Sequence, residues 1–270
     1  MNITFVGGGN MATAMIGGLL KNGWPTKSIF VVEIDTAARD RIARELNVKA
    51  AAQLEALSAV ADCVVFAVKP QQIRTAAGTL RPFLGSQLVL SIAAGIRVGD
   101  LSRWLGSYQR IVRVMPNTPA LERAGVSALC APAAVSADDK ARAEQIMKAV
   151  GTTFWVEDEA HMDAATAVSG SGPAYVFYFI EALQQAAVEL GFPAGDARRV
   201  ALATFAGALR LAESSTEEVA ALRRRVTSPG GTTERAIATM ETDGVRAAIV
   251  RAVRAAAERS RELGDELGRD

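Results

Sequence analysis

One turn carries the clearest capacity for binding chemistry. Residues Thr227–Thr233 read TSPGGTT and lie between two stretches with helical patterns. Pro229 cannot continue a helix, and the two glycines after it allow backbone conformations that other residues rarely adopt. A new helix is predicted to begin at Thr232 or Thr233, so its free N–H groups and the hydroxyls of the turn point the same way. Because a helix N-terminus carries about half a positive charge, the turn can bind a small carboxylate without a lysine or arginine. An ordinary capped helix start would fit the same residues.

A second glycine-rich turn, Ser169–Tyr175, opens the first long helical pattern of the second half. Ser171 and Pro173 are typical of a helix start. A capped helix accounts for these two residues but not for the two further glycines and the second serine. Ser171 is therefore a candidate substrate-binding residue.

A third motif follows the first predicted strand directly. Gly7, Gly9 and Ala12 fit the pattern G-x-G-x-x-[GA]. In that pattern the first glycine turns tightly, the second lets a pyrophosphate approach the backbone, and the third position lets the helix pack close to the sheet. The motif stands at the start of a βαβ unit, so it predicts a dinucleotide cofactor rather than a structural turn alone.

The next predicted strand ends at Glu33, where a carboxylate can accept hydrogen bonds from the ribose hydroxyls of adenosine. Asp35 adds a second negative charge. A 2′-phosphate would be repelled here unless Arg39 or Arg41 reached it, so the segment favours NAD(H) over NADP(H). Alternatively, the two acidic residues cap the helix that follows.

Further loops follow later strands, at the edge where open α/β sheets bind ligands. Lys69, in Ala67–Pro70, could contact the cofactor or a substrate carboxylate, or be a solvated lysine. Ser91–Gly95 ends the fourth predicted strand. In Met115–Pro119, two prolines hold a short loop that aims Asn117 and Thr118, although a plain turn explains it equally well.

These motifs need a scaffold, and the apolar pattern of the first half indicates one. Nearly continuous runs of valine and isoleucine alternate with amphipathic helical patterns such as Thr36–Leu46. Parallel strands covered on both faces have such runs. The alternation predicts an α/β fold with an N-terminal Rossmann-type, doubly wound, mostly parallel sheet. The predicted strands are Ile3–Val6, Ile29–Glu33, Cys63–Val68, Leu88–Ile92, Ile111–Met115, Val126–Leu129 and Thr153–Val156.

The second half contains alanine-rich helical patterns and no convincing strand. We expect a dinucleotide-binding domain over residues 1–156 and an all-α substrate-binding and dimerisation domain over residues 157–270. Tyr175–Ile180 is apolar all the way round its helix, which is typical of a helix buried on every side. Since a small bundle has little interior of its own, a second copy of the chain is expected to cover this surface, unless the first domain does. The predicted helices are Ala174–Leu190, Ala194–Ser214, Thr216–Arg225, Thr233–Thr242 and Val245–Leu267.

Composition limits the function classes. The chain has 270 residues, 50% of them apolar, and a net charge of +1, which gives no electrostatic reason to expect nucleic acid or a membrane surface. No apolar run reaches the roughly 18 residues of a membrane span, and no export signal is evident. Cys63 and Cys130 are expected to be reduced, packed thiols of a cytoplasmic protein. The single histidine, His161, makes a metal site or a histidine triad hard to build, and its charged surroundings favour a solvated role.

Taken together, the motifs resemble one family, pyrroline-5-carboxylate reductase. The matching segments follow the family's order from residue 7 to residue 233. The resemblance implies reduction of the cyclic imine 1-pyrroline-5-carboxylate to L-proline with NAD(P)H, the last step of proline biosynthesis. It also implies a homodimer through interlocking C-terminal helices, with possible assembly into a decamer. The segments are Gly7–Ala12, Val68–Pro70, Ser91–Gly95, Arg113–Pro119, Ser169–Tyr175 and Thr227–Thr233.

The resemblance also implies roles for individual residues. Thr233 is nearest the imine nitrogen and is the catalytic candidate, with substrate contacts from Gly230, Gly231, Thr232 and Thr233. At the position of Glu33 the family often has a small or neutral residue where NADPH is preferred, which leaves the cofactor preference open. The cofactor contacts would come from Val6, Gly7, Gly8, Gly9, Asn10, Met11, Ala67, Val68, Lys69, Pro70, Ala93, Ala94 and Gly95.

Imine reduction fits what the chain lacks, because it needs a hydride donor and a protonated nitrogen but neither a metal nor a covalent nucleophile. We expect N–H groups at Gly231–Thr233 to bind the carboxylate and the Thr233 hydroxyl to bond the nitrogen. Two alternatives remain: a hydroxy-acid dehydrogenase of related two-domain architecture, and a non-enzymatic dinucleotide-sensing protein. The first usually places a lysine or histidine in the helical half, where this chain has no lysine and only His161.

Overall fold

The computed structural model describes residues 1–54 and 61–269. The chain forms two compact units. The first comprises residues 1–171 together with the end of the chain from residue 255, and the second comprises residues 172–254.

An eight-stranded sheet forms the centre of the first unit, in the order β3-β2-β1-β4-β5-β6-β7-β8. Neighbouring strands are parallel except β6 and β7, which pair antiparallel. The predicted mostly parallel, doubly wound sheet is therefore confirmed. The strands are β1 (Ile3–Val6), β2 (Ile29–Val32), β3 (Lys49–Ala51), β4 (Cys63–Phe66), β5 (Leu88–Ser91), β6 (Ile111–Met115), β7 (Gly125–Cys130) and β8 (Gly151–Trp155).

Helices cover both faces of this sheet, which explains why its inner strands are continuously apolar. One apolar cluster contains Met15, Ile42 and Ile146, each from a different helix. The cluster on the other face contains Ile73 and Leu101, from two further helices. Within the described part of residues 1–171, the α-helices are α1 (Asn10–Lys21), α2 (Thr36–Leu46), α3 (Pro70–Leu80), α4 (Val98–Trp104), α5 (Ala137–Lys148) and α6 (His161–Ala165).

The strand order reverses at β1, which has β2 on one side and β4 on the other. Connections on the two sides of such a point wind in opposite directions, and this opens a crevice beyond the carboxyl ends of the strands. The glycine motif at residues 7–9 follows β1 directly and therefore lies at this crevice.

Several strand boundaries differ from the predictions by one or two residues. Strands β2, β4 and β5 end one or two residues before the predicted ends, because the chain leaves the ladder there to form the loops of the crevice. Strands β7 and β8 begin earlier than predicted. Strand β3 was not predicted, since its three residues, Lys49–Ala51, form no apolar run.

The second unit is helical throughout, as the sequence predicts. Its helices are α7 (Gly172–Glu189), α8 (Ala194–Glu213), α9 (Val219–Arg225), α10 (Thr232–Thr242) and the first part of α11 (Val245–Leu267). Ala197 and Ala201 are its only buried apolar residues. In the described part of the chain, no helix is both long enough and apolar enough to cross a membrane.

Candidate dinucleotide site and substrate turn

Gly7 makes the turn that leads from β1 into the crevice. Its φ is +101°, a region that favours glycine, and its N–H donates to the Val32 carbonyl at 2.8 Å. A Cβ atom on this residue would lie 2.8 Å from the backbone of Ala67 and Val68. Glycine is therefore required here by both the conformation and the adjacent strand end.

At Gly9, in contrast to Gly7, the space that a side chain would occupy is open. It is the N-cap of α1, with φ −69° and ψ −178°, and a Cβ atom placed on it would meet nothing within 4 Å. The first intrahelical bond is donated by Thr13 N–H to the Gly9 carbonyl, so the N–H groups of Asn10, Met11 and Ala12 precede the helical ladder. No acidic residue occupies the first turn. An open, positively polarised helix start fits the pyrophosphate of a dinucleotide.

A cavity of about 580 Å³ extends from this turn along the crevice. It brings together eight of the predicted cofactor residues, namely Val6, Gly7, Gly8, Gly9, Glu33, Ala67, Val68 and Lys69. The other predicted contacts do not line it: Asn10, Met11, Pro70, Ala93, Ala94 and Gly95. Ten lining residues were not predicted, because they carry no motif and only the packing of neighbouring loops and α3 brings them there: Val32, Ile34, Ala52, Gln53, Leu54, Gln71, Gln72, Thr75, Ala76 and Thr79.

Both carboxylate oxygens of Glu33 are held by the backbone. Oε2 accepts from the Gly8 N–H at 2.7 Å, and Oε1 accepts from the Asp35 N–H at 2.9 Å. The carboxylate is thereby fixed against the cavity wall, where the sequence predicts a ribose contact. Asp35 instead caps α2, because its Oδ1 accepts from the Ala38 N–H at 2.7 Å.

Arg39 is bonded to the segment that joins β2 to α2. Its Nη1 donates to the Glu33 carbonyl at 2.9 Å and its Nη2 to the Thr36 hydroxyl at 3.2 Å. The guanidinium therefore stabilises the backbone at the end of β2. Neither Arg39 nor Arg41 lines the cavity, whose charged lining residues are Glu33 and Lys69.

The loop after β5 is supported by the end of α11. Gly95 has φ +75°, and a Cβ atom on it would lie 3.1 Å from Leu267 and 3.5 Å from Leu263. Arg97, just beyond, pairs with Asp265 at 2.7 Å. The last turns of α11 thus fix the segment in which Ala93–Gly95 were predicted to contact the cofactor.

The turn at residues 227–233 has fewer free N–H groups than its sequence suggests. The Gly230 N–H donates to Glu234 Oε2 at 2.7 Å, and the Gly231 N–H donates to the Ser228 carbonyl at 3.0 Å. Helix α10 begins at Thr232 with Gly231 as its N-cap, and its first intrahelical bond runs from Arg235 N–H to the Gly231 carbonyl. The N–H groups of Thr232 and Thr233 precede that bond, and the first turn of α10 also contains an acidic residue, Glu234.

The remaining candidates are the single histidine and the two cysteines. His161 is exposed at the start of α6. Cys63 and Cys130 are buried free thiols, and burial is the main cause that raises the pKa of each above its usual range. Among the described residues, no group of three or more His, Cys, Asp or Glu side chains could hold a metal ion.

Comparison with known proteins assigns the two parts of the chain to two family models. Residues 159–263 match the model of pyrroline-5-carboxylate reductase dimerisation. Residues 2–95 match a model described as NADP oxidoreductase, coenzyme F420-dependent.

Relatives match over nearly the whole length. The pyrroline-5-carboxylate reductase of Pseudomonas aeruginosa is 46% identical over 98% of both chains. A solved structure of such a reductase from Coxiella burnetii superposes with a TM-score of 0.92 at 42% identity, over 97% of this chain and 98% of that one. The structure of the Plasmodium falciparum enzyme with NADP bound has a TM-score of 0.88 at 30% identity, over 98% of each. With the crevice and the two glycine turns, this similarity shows that the chain belongs to the pyrroline-5-carboxylate reductase family.

Proposed function

We propose that the chain reduces 1-pyrroline-5-carboxylate to L-proline, the last step of proline biosynthesis. The observation that carries the proposal is the open N-terminus of α1 at Gly9, in a chain that matches reductases of this family over 98% of its length. When bound, the reduced nicotinamide dinucleotide supplies the hydride. The protein's own residues have to bind the two anionic ligands and orient the imine.

Thr233 is the residue that we place at the substrate. The N–H groups of Thr232 and Thr233 bind the carboxylate, and the Thr233 hydroxyl bonds the ring nitrogen. Gly230 and Gly231 shape the turn, since Gly230 has φ +71° and the N–H groups of both bond within the turn and its helix. Ser171 is a further substrate contact. A hydrogen bond to a charged group contributes about 1.5–3 kcal/mol, which is enough to orient the imine.

NADH is the cofactor that we assign in preference to NADPH. The support is the fixed carboxylate of Glu33 at the cavity wall and the engagement of Arg39 with backbone and Thr36. A 2′-phosphate beside Glu33 would meet like charge, and the nearby guanidinium of Arg39 is already bonded to the Glu33 carbonyl and to Thr36. Because the structure of the Plasmodium relative contains NADP, the proposed preference for NADH rests on Glu33 and Arg39 of this chain alone.

A homodimer formed through the helical unit is the assembly that we propose, with a decamer as its higher form. No residue of α7 is buried, and Phe177 and Tyr178 are 60% and 71% exposed. A unit whose only buried apolar residues are two alanines has too little core to be stable alone, and a second copy would supply it.

We also propose that the functional domains divide between residues 156 and 157, which is supported by the dimerisation match from residue 159.

Sedimentation velocity tests the dimer. Tyr178→Glu places a charge on α7 and is expected to give monomers, whereas Arg44→Glu, on exposed α2, serves as the matched control and should keep the wild-type mass. Equal masses for the two variants would contradict the proposed interface.

A cytoplasmic location is proposed as well. Its support is the pair of buried free thiols, Cys63 and Cys130, which suit a reducing compartment. Cell fractionation with an antibody to the chain tests it, and recovery in the periplasm would contradict it.

The central experiment measures oxidation of NADH and of NADPH with 1-pyrroline-5-carboxylate and, in parallel, with a panel of keto acids. We expect turnover with the imine and a higher kcat/KM with NADH than with NADPH. Turnover with keto acids alone would indicate a hydroxy-acid dehydrogenase. Cofactor binding without any turnover would indicate a dinucleotide-sensing protein.

A further inference from the structure

One side chain ties the turn before α7 to the carboxyl end of β6. The Nδ2 of Asn117 donates to the Ser169 carbonyl at 3.0 Å, and its Oδ1 accepts from the Val126 N–H at 2.8 Å. Asn117 is 8% exposed. Both polar groups of this buried amide are therefore bonded to backbone groups. The side chain links its own loop to β7 and to the turn before α7.

Pro173 removes the N–H group that would bond the Ser169 carbonyl in a regular α-helix. In a helix this carbonyl would accept from the N–H four residues later, but that residue is Pro173, which has none. The backbone before it widens into one π-helical turn, Thr166–Gly170, closed by the Ser171 N–H on the Thr166 carbonyl at 2.8 Å. Single π-turns inside helices are frequent at functional sites. The amide of Asn117 thus replaces the donor that the proline cannot provide.

Close packing fixes the same turn from a second direction. A Cβ atom on Gly170 would lie 2.5 Å from Cε of Met115, the last residue of β6. The glycine therefore leaves room for the end of the Met115 side chain beside the turn. A hydrogen bond and a side-chain contact thus both link the Ser169–Ser171 turn to the end of β6.

We propose that Asn117 is a positioning residue for the reductase reaction. It holds the π-turn against the carboxyl end of the sheet, so that Ser171 is presented to the substrate in one orientation. The inference rests on the proposed function, and it adds a residue whose effect on the substrate is transmitted by the turn that contains Ser171.

Asn117→Asp separates the two hydrogen bonds. The carboxylate retains an acceptor for the Val126 N–H, but it places a second oxygen against the Ser169 carbonyl, which then loses its donor. Asn117→Ala removes both bonds and serves as the second variant if the aspartate does not fold. Ser28→Ala is the matched control, because it removes a hydrogen bond of similar burial, from Ser28 Oγ to the Pro25 carbonyl at 2.8 Å, at the amino end of β2.

The expected result is a selective loss on the substrate side. For Asn117→Asp, kcat/KM for 1-pyrroline-5-carboxylate should fall at least about tenfold with a raised KM, a change equivalent to about 1.4 kcal/mol. The dissociation constant for NADH should stay within about twofold of wild type, as a loss confined to the substrate turn requires. Ser28→Ala should lower the melting temperature and leave both constants unchanged. Equal kinetics for wild type and the Asn117 variants would overturn the proposal.

Hydrogen exchange provides a readout that does not depend on turnover. The Ser171 amide, bonded to Thr166, should exchange faster in Asn117→Asp than in wild type or Ser28→Ala. Unchanged exchange at Ser171 would overturn the proposal even if activity fell. If the wild-type chain does not reduce the imine, the proposed function fails by itself, and the exchange measurement still tests whether Asn117 holds the turn.

Discussion

Two glycines of one motif should respond to alanine in opposite ways. At Gly9 the backbone has φ −69°, which alanine adopts without strain, and the added methyl group meets no protein atom within 4 Å. Gly9→Ala should therefore fold with a stability within about 1 kcal/mol of wild type, because alanine restricts the unfolded chain but is a poorer N-cap than glycine. The methyl group nevertheless occupies the space in front of the α1 N-terminus. Loss of one charge-assisted bond to the pyrophosphate, about 1.5–3 kcal/mol, corresponds to roughly ten- to hundredfold weaker NADH binding.

At Gly7 the same substitution affects the fold. The φ of +101° costs a side-chain-bearing residue roughly 1–2 kcal/mol, and the contact at 2.8 Å to the Ala67 backbone adds overpacking of roughly 1–3 kcal/mol. Gly7→Ala should thus lose roughly 2–5 kcal/mol, a large part of a typical stability of about 5–15 kcal/mol.

Urea unfolding and NADH fluorescence titration of both variants check this pair. Wild-type NADH affinity in Gly9→Ala would refute the assignment of the open space to the cofactor. Wild-type stability in Gly7→Ala would refute the geometry of the turn.

Three further predictions concern other parts of the chain. Thr233→Ala should lose about ten- to hundredfold in kcat/KM with an unchanged unfolding curve, and wild-type activity would remove its hydroxyl from the mechanism. Glu33→Gln keeps an acceptor for the Gly8 N–H but removes the charge, so the NADPH-to-NADH ratio of kcat/KM should rise about tenfold; an unchanged ratio would contradict the specificity argument. Cys63 and Cys130, whose pKa values burial raises, are protonated at pH 8 and should react with iodoacetamide only after unfolding. Mass spectrometry checks this, and rapid labelling of the native chain would contradict it.

The sequence by itself determined those helices and turns whose signals lie within a few consecutive residues. Helices α2 and α11 have the predicted bounds, because helical periodicity and end signals are both present in them. The glycines of the first βα turn likewise indicated the local backbone, since a positive φ at Gly7 and an N-cap at Gly9 are properties of a few consecutive residues.

Tertiary structure decided which polar groups meet. Nothing near Asn117 in sequence indicates that its amide bonds Ser169, 52 residues later, or that Leu267 lies against Gly95. The same holds for Arg39, whose charge suggested a phosphate contact but whose guanidinium bonds the backbone.

The physical reason is the range of the interactions. Residue type and periodicity select backbone conformation over a few neighbours, which is enough for a strand, a helix start or a tight turn. The partner of a hydrogen bond or the occupant of a close contact depends on the packing of segments far apart in the chain, and only the folded sheet and its helices bring those segments together.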